Sequence, residues 1–251
     1  MTSVAIKLRD VTIAYDRHPA VHHVSGGFEK GNLTAIVGPN GAGKSTLVKA
    51  LIGELPVTEG SIDRGGLAQG DFGYLPQAAE IDRRFPLCVA DLVLLGAWRD
   101  TGAFGGATRA IATKARAALS AVELDGFESR PIATLSAGQF QRALFARLLL
   151  QDAQTIILDE PFTAIDARTT AHLLDIVRRW GGEGRTVIAV LHDLDQVRAH
   201  FPQTLLMARE KVAWGPTEAA LSTSCLQKAR TMSESWDEAA PVCEEARWKR
   251  S

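Results

Sequence analysis

The chain has 251 residues, 46% hydrophobic and 23% charged, an ordinary globular composition. Its 28 Lys and Arg stand against 29 Asp and Glu for a net charge of −1, so charge alone gives no footing for nucleic acid. No run reaches the roughly 18 apolar residues of a membrane span, the N-terminus MTSVAIKLRD lacks the apolar stretch of a signal peptide, and Cys88, Cys225 and Cys243 are too scattered for a disulfide framework or a zinc knuckle. The expectation is a chain that stays in a reducing compartment, with Cys88 as a small buried filler.

In chain order, residues 4–15 alternate well enough for two strands about Arg9-Asp10. His18, His22 and His23 read as surface residues in a loop beside Tyr15, because no carboxylate or thiol completes a metal set there. A turn at Lys30-Gly31-Asn32 leads into the short apolar strand 33–37. GSID (60–63) and FGYLP (72–76) read as further strands, so the opening third is β-rich. Past Pro76 the spacing turns helical, over 88–98 and 107–124 with the loop DTGAFGG between them, and again over 138–150. Residues of about 78–153 therefore read as a helical insert. Strands 155–159, 186–192 and 204–208 then alternate with helices 167–180 and 194–201. That alternation implies a largely parallel sheet covered on both faces. Residues 1–222 form the expected domain, and the polar stretch from 223 reads as a loosely attached tail.

The sharpest motif is GPNGAGKST (38–46), which fits G-x-x-x-x-G-K-[ST]. Gly38, Gly41 and Gly43 allow tight turning, so that the loop of Gly38, Pro39, Asn40, Gly41, Ala42 and Gly43 can surround phosphates, with every residue but Pro39 offering a backbone N–H. Lys44 is expected to reach the β- and γ-phosphates, Ser45 to sit on Mg²⁺, and Thr46, at the helix start, to join the nucleotide contacts. TIILDEP (155–161) ends an apolar strand in two acids. Asp159 there suits Mg²⁺, and Glu160 can orient and polarise an attacking water.

LSAGQ (135–139) followed by FQRALFARLLL resembles the signature segment of ATP-binding-cassette (ABC) ATPases, with Ala137 in place of the middle Gly of LSGGQ. Further motifs match in order. Tyr15 stands where the family places an aromatic on adenine. Gln77 in GYLPQ matches the glutamine that senses Mg²⁺ and the attacking water. TAID (163–166) matches the loop whose aspartate, here Asp166, crosses to a partner subunit. His192 in VLHD matches the switch histidine at the γ-phosphate. The resemblance covers about residues 4–222 and implies an α/β P-loop NTPase of ABC type, with an antiparallel β subdomain and an inserted helical subdomain. It further implies ATP and Mg²⁺ as ligands, Ser136, Ala137, Gly138 and Gln139 as nucleotide contacts across a two-fold ATP-bridged homodimer, and Glu160, His192, Gln77 and Lys44 as the hydrolytic set.

With no span of its own, such an ATPase drives a separate membrane permease from the cytoplasmic face of the inner membrane. The apolar stretch around Phe85–Trp98 lies where relatives receive a helix from that permease; it also suits the core of the helical lobe. The wording DRRFPLCVADLVLLGAW and DEPFTAIDARTT is similar to the ATPases of zinc and manganese uptake systems, which implies divalent-metal import with zinc ahead of manganese and a periplasmic or lipid-anchored metal-binding protein as an indirect partner. Relatives serving iron chelates or vitamin B12, and soluble ABC ATPases of iron–sulfur cluster assembly, remain alternatives. Translation and repair members fit poorly, since this chain has neither a second cassette nor a long coiled-coil insert.

Overall fold

The computed structural model describes residues 4–15, 18–102 and 106–234. The chain opens with β1 (Val4–Tyr15), β2 (His18–Glu29), β3 (Leu33–Val37), α1 (Lys44–Leu51), β4 (Glu59–Asp63) and β5 (Phe72–Leu75). A helical stretch follows, α2 (Val89–Leu94), α3 (Trp98–Thr101), α4 (Arg109–Ala121) and α5 (Ala137–Gln151). Alternation then returns with β6 (Thr155–Asp159), α6 (Ala167–Gly182), β7 (Thr186–Val190), α7 (Leu194–His200), β8 (Gln203–Ala208), β9 (Glu210–Pro216), α8 (Thr217–Ala220) and α9 (Thr223–Glu234).

Six strands form the main sheet in the order β5-β6-β7-β3-β8-β9, all parallel except for β9, and β2-β1-β4 form a separate antiparallel sheet. The central strands are buried along their whole length. Their side chains alternate between two cores, as the two-residue period of a strand requires. Leu33, Ala35, Val37, Ile156, Leu158, Val187 and Ala189 face the helical side, packed with α2, α4, α5 and α6. Ile36, Ile157, Ile188 and Val190 face the other side, against α1 and the antiparallel sheet. Both faces being covered explains why these strands read as unbroken apolar runs.

Several expectations are corrected. Residues 4–15 form one strand, not two. Its pairing with β2 shifts between Leu8 and Val11, and Asp10 takes φ 52° there with its amide donating to Ser25 Oγ at 2.8 Å. A bulge thus absorbs what looked like a turn. His18, His22 and His23 lie on β2 rather than in a loop; His22 pairs with Glu210 at 3.2 Å and His23 with Asp10 at 2.8 Å. The helix expected over 88–98 breaks at a 3₁₀ turn, Leu95–Ala97, before α3. The polar stretch after 223 begins with an ordered helix. Cys225, Leu226, Ala229 and Met232 place an apolar stripe on one side of α9, Ala229 is 4% exposed, and the stripe packs on the core. Residues 103–105 of the DTGAFGG loop and the tail 235–251, with Cys243, lie outside the described residues.

Trp180 on α6 is 1% exposed and stacks on Phe145 of α5 at 5.9 Å, joining the helical lobe to the sheet. Trp180→Ala should cost about 3–5 kcal/mol through lost burial and cavity formation. Urea unfolding should show a lower midpoint with an unchanged slope.

Candidate functional site

β6, β7 and β3 are neighbours and parallel, so the loops at their C-terminal ends meet on one edge, where ligands bind in open α/β sheets. The loop after β3 carries the glycine-rich motif expected to form the phosphate cradle. Its glycines are there for space as much as for conformation. At Gly38 a Cβ would lie 2.0 Å from the Met207 carbonyl oxygen, and at Gly43, with φ +83°, 2.1 Å from that of Ala20. Only glycine lets this backbone pass so close to β8 and β2. α1 starts at Lys44, so its free N-terminal amides face the same space. Lys44 is 6% exposed and donates from Nζ to the carbonyls of Gly38 and Pro39, each at 2.9 Å. Burial lowers its pKa, against the opposing pull of Glu160 and Asp159.

Asp159 closes β6, fully buried. Ser45 donates from Oγ to Asp159 Oδ1 at 3.1 Å, while Oδ2 is buried and has no hydrogen-bond partner. Burial raises the carboxyl's pKa, only partly offset by the Ser45 hydrogen bond. An orphaned carboxylate oxygen beside a hydroxyl is an oxygen set that fits a hard cation such as Mg²⁺.

Glu160 follows at φ 50°, a left-handed conformation that turns its side chain out of the strand direction. His192 Nε2 lies 2.7 Å from Oε1, and Gln77 Nε2 donates to Oε2 at 2.9 Å. Thr163 Oγ1 reaches Oε2 at 3.3 Å. Burial works to raise the Glu160 pKa, but the hydrogen bonds and charge of His192, with Gln77 and Lys44, outweigh it and hold the carboxyl below its ordinary value. Glu160 is therefore ionised at neutral pH.

The structure thus brings together Lys44, Ser45, Gln77, Asp159, Glu160 and His192. The signature segment stands apart, and no hydrogen bond or ion pair joins it to the cradle among the described residues. Ser136 caps α5, accepting from the Gln139 amide at 3.2 Å, and Gln139 Oε1 accepts from the Ser136 amide at 3.0 Å. Ala137 is the first helical residue and does not take positive φ, so its Cβ costs nothing where the signature pattern has glycine. Asp166 caps α6 through Thr169, accepting from its amide at 2.9 Å and its hydroxyl at 2.8 Å. Tyr15 ends β1 with 49% of its surface exposed.

The profile of the ABC transporter family matches residues 21–163. The chain belongs to that family. This ABC protein is an ATP-binding, ATP-hydrolysing cassette. It is 37% identical over 227 residues to the manganese transport system ATP-binding protein MntB of Bacillus subtilis, covering 89% of this chain and 91% of the relative. It is 35% identical over 232 residues to the zinc transport system ATP-binding protein TroB of Treponema pallidum, covering 91% and 87%. Among solved structures, an inward-facing ABC transporter described as of metal-chelate type superposes with TM-score 0.80 at 27% identity, covering 91% of this cassette and 89% of that chain. No helix among the described residues is long and apolar enough to cross a membrane.

Thr163 on Glu160 is a contact the sequence reading did not assign, although it lies inside the TAID motif. Nor was the ion pair of Lys49 with Glu80 at 2.6 Å, which ties α1 to the segment after Gln77.

Because burial raises the folded-state pKa of Asp159, its charge opposes folding at neutral pH, and the penalty fades as the pH falls toward the unfolded carboxylate's range. Asp159→Asn should raise the melting temperature of the nucleotide-free cassette by roughly 2–4 °C at neutral pH, with the gain vanishing in acid. Calorimetry at both pH values checks the sign.

Proposed function

We propose that this cassette powers the import of a divalent metal ion, manganese or zinc, through a separate membrane permease. The chemistry rests on one observation above all: the Glu160 carboxylate, ionised, lies between Gln77 and His192 beside the buried Lys44. In this reading Glu160 orients and deprotonates the attacking water, and His192 and Gln77 hold it in place and report on the γ-phosphate. Lys44, now on the carbonyls of Gly38 and Pro39, exchanges them for phosphate oxygens when ATP enters. Ser45 and Asp159 would hold Mg²⁺, which supplies charge neutralisation at the β- and γ-phosphates.

The signature segment has no role at its own cradle, which supports a two-fold dimer in which Ser136 to Gln139 of each copy face the other's nucleotide. ATP would then favour the closed pair, and hydrolysis would release it. Tyr15, exposed at the end of β1, is free to stack on adenine, and Asp166 stands beside Gly138 of the signature segment.

A groove of about 420 Å³ between α1, β5 and the helical lobe includes Glu54, Tyr74, Glu80, Leu95 and Arg147 in its lining. Phe85, Leu95 and Trp98 are unusually exposed for large apolar side chains, at 62%, 43% and 55%. They support this flank as the permease dock, at the cytoplasmic face of the inner membrane. The cargo reading leans on the relatives' names. These do not carry the zinc-first order that the sequence wording implies, since manganese and zinc relatives match at 37% and 35%. A periplasmic or lipid-anchored metal-binding protein completes the proposed assembly.

Glu160→Gln should lower turnover by about 10²–10⁴-fold while ATP affinity persists; wild-type hydrolysis would remove Glu160 from its role. The cargo is tested by co-purifying the cassette with its membrane partner and following radioactive manganese and zinc into vesicles. ATP-dependent accumulation of one metal is the expected result, and transport of neither would overturn the metal reading.

A further inference from the structure

Downstream of Gln77, Arg83 makes contacts that none of the hydrolytic residues explains. Its Nη2 donates to the carbonyls of Ile132, at 3.3 Å, and Leu135. Its guanidinium lies over the Phe140 ring, 4.8 Å from the centroid. The Leu135 carbonyl is the last before Ser136, the N-cap of α5, and Phe140 belongs to the first turn of that helix and is 1% exposed. One half-buried cation therefore grips both sides of the signature start: the backbone entering it and the ring anchoring its first turn. Hydrogen bonds from a charged group and a partly desolvated cation–π contact are each stronger than their neutral counterparts.

We propose that Arg83 is a positioning residue for ATP hydrolysis, tying the segment after Gln77 to the signature loop and so setting where Ser136 and the first amides of α5 stand when a second copy closes. The inference rests on the two-fold reading above. Its physical logic is that a helix N-terminus recognises a phosphate only if its amides are aimed. The signature start is capped from within by Ser136 and Gln139, which orders the turn but does not fix it relative to the cradle. The side-chain link from the segment after Gln77 to the carbonyl before the cap is Arg83.

Arg83 touches neither Lys44, Ser45, Asp159 nor Glu160, so its loss should leave each copy's own nucleotide affinity nearly intact and weaken only the closure of two copies. The full chain is studied in the Glu160→Gln background, with self-association in ATP and Mg²⁺ read by sedimentation velocity and each copy's own nucleotide affinity read by calorimetry with ADP. Adding Arg83→Gln should raise the ATP-dependent dimer dissociation constant by about tenfold or more, with ADP affinity, which is not linked to closure, changed by less than about twofold. Arg83→Lys, which keeps the charge but loses the planar fork, should show the smaller loss. Equal self-association with and without Arg83→Gln overturns the role of Arg83 while the two-fold reading stands. A parallel fall in ADP affinity also overturns it, because Arg83 would then serve the whole fold rather than the signature. If the Glu160→Gln chain itself stays monomeric in ATP, the two-fold reading falls and this inference with it.

Discussion

The in-register parallel pairing of β6, β7 and β3 is the constraint on which the site depends. These strands are buried on both faces, so their loops have nowhere to go but the sheet edge. Asp159 pairs opposite Val190 and Ile36 also opposite Val190, which brings the end of β6, the start of the His192 loop and the entry to the cradle level with one another. Slip that register by one residue and the alternating faces exchange cores, taking the acids away from the cradle. The stability of the two apolar cores and the geometry of the chemistry are thus one and the same requirement.

Around that edge the cassette accepts several features that oppose folding. Lys44 and Asp159 are charged groups withdrawn from water, and Asp159 keeps an unpartnered oxygen. Glu160 sits at positive φ without being glycine. Each makes sense for a site that meets a polyanion and its cation, because interactions already desolvated and aimed cost little reorganisation when the ligand arrives. Glu160 differs from Asp159 in its surroundings. Two donors and a nearby ammonium hold it ionised, whereas its neighbour has one hydroxyl. Adjacent acids are in this way pushed apart in proton affinity by environment alone, the pattern expected when they serve different tasks.

Polar groups connect the helical lobe to this edge. Gln77 meets Glu160 and Lys49 meets Glu80, while within the lobe Arg83 holds the start of α5. Apolar packing through Phe145 and Trp180 holds the lobe to the sheet, while the polar contacts lie on the side where nucleotide and partner would act. Contacts of that kind are directional, so their strength depends on how the lobe is placed against the sheet.

Much was legible in the chain itself. The cradle, the acidic strand end, the signature segment and VLHD are short local patterns, because backbone amides, a strand terminus and a helix cap are each written within a few consecutive residues. The β/α alternation after 155 was equally plain, since fully buried strands leave unbroken apolar runs. Less legible were the bulge at Asp10, which looks like a turn until β2 pairs across it, and α9, whose apolar stripe is diluted by polar residues and gains meaning only when the core receives it. Sequence by itself determined which groups are candidates to handle phosphate, because that chemistry needs particular atoms in close succession. Only the tertiary structure decided that Gln77 and His192 share one carboxylate, that Asp159 keeps an open oxygen, and that Arg83 reaches Leu135. Those are distances between residues far apart in the chain, and they exist only once the strands have paired and the two cores have closed.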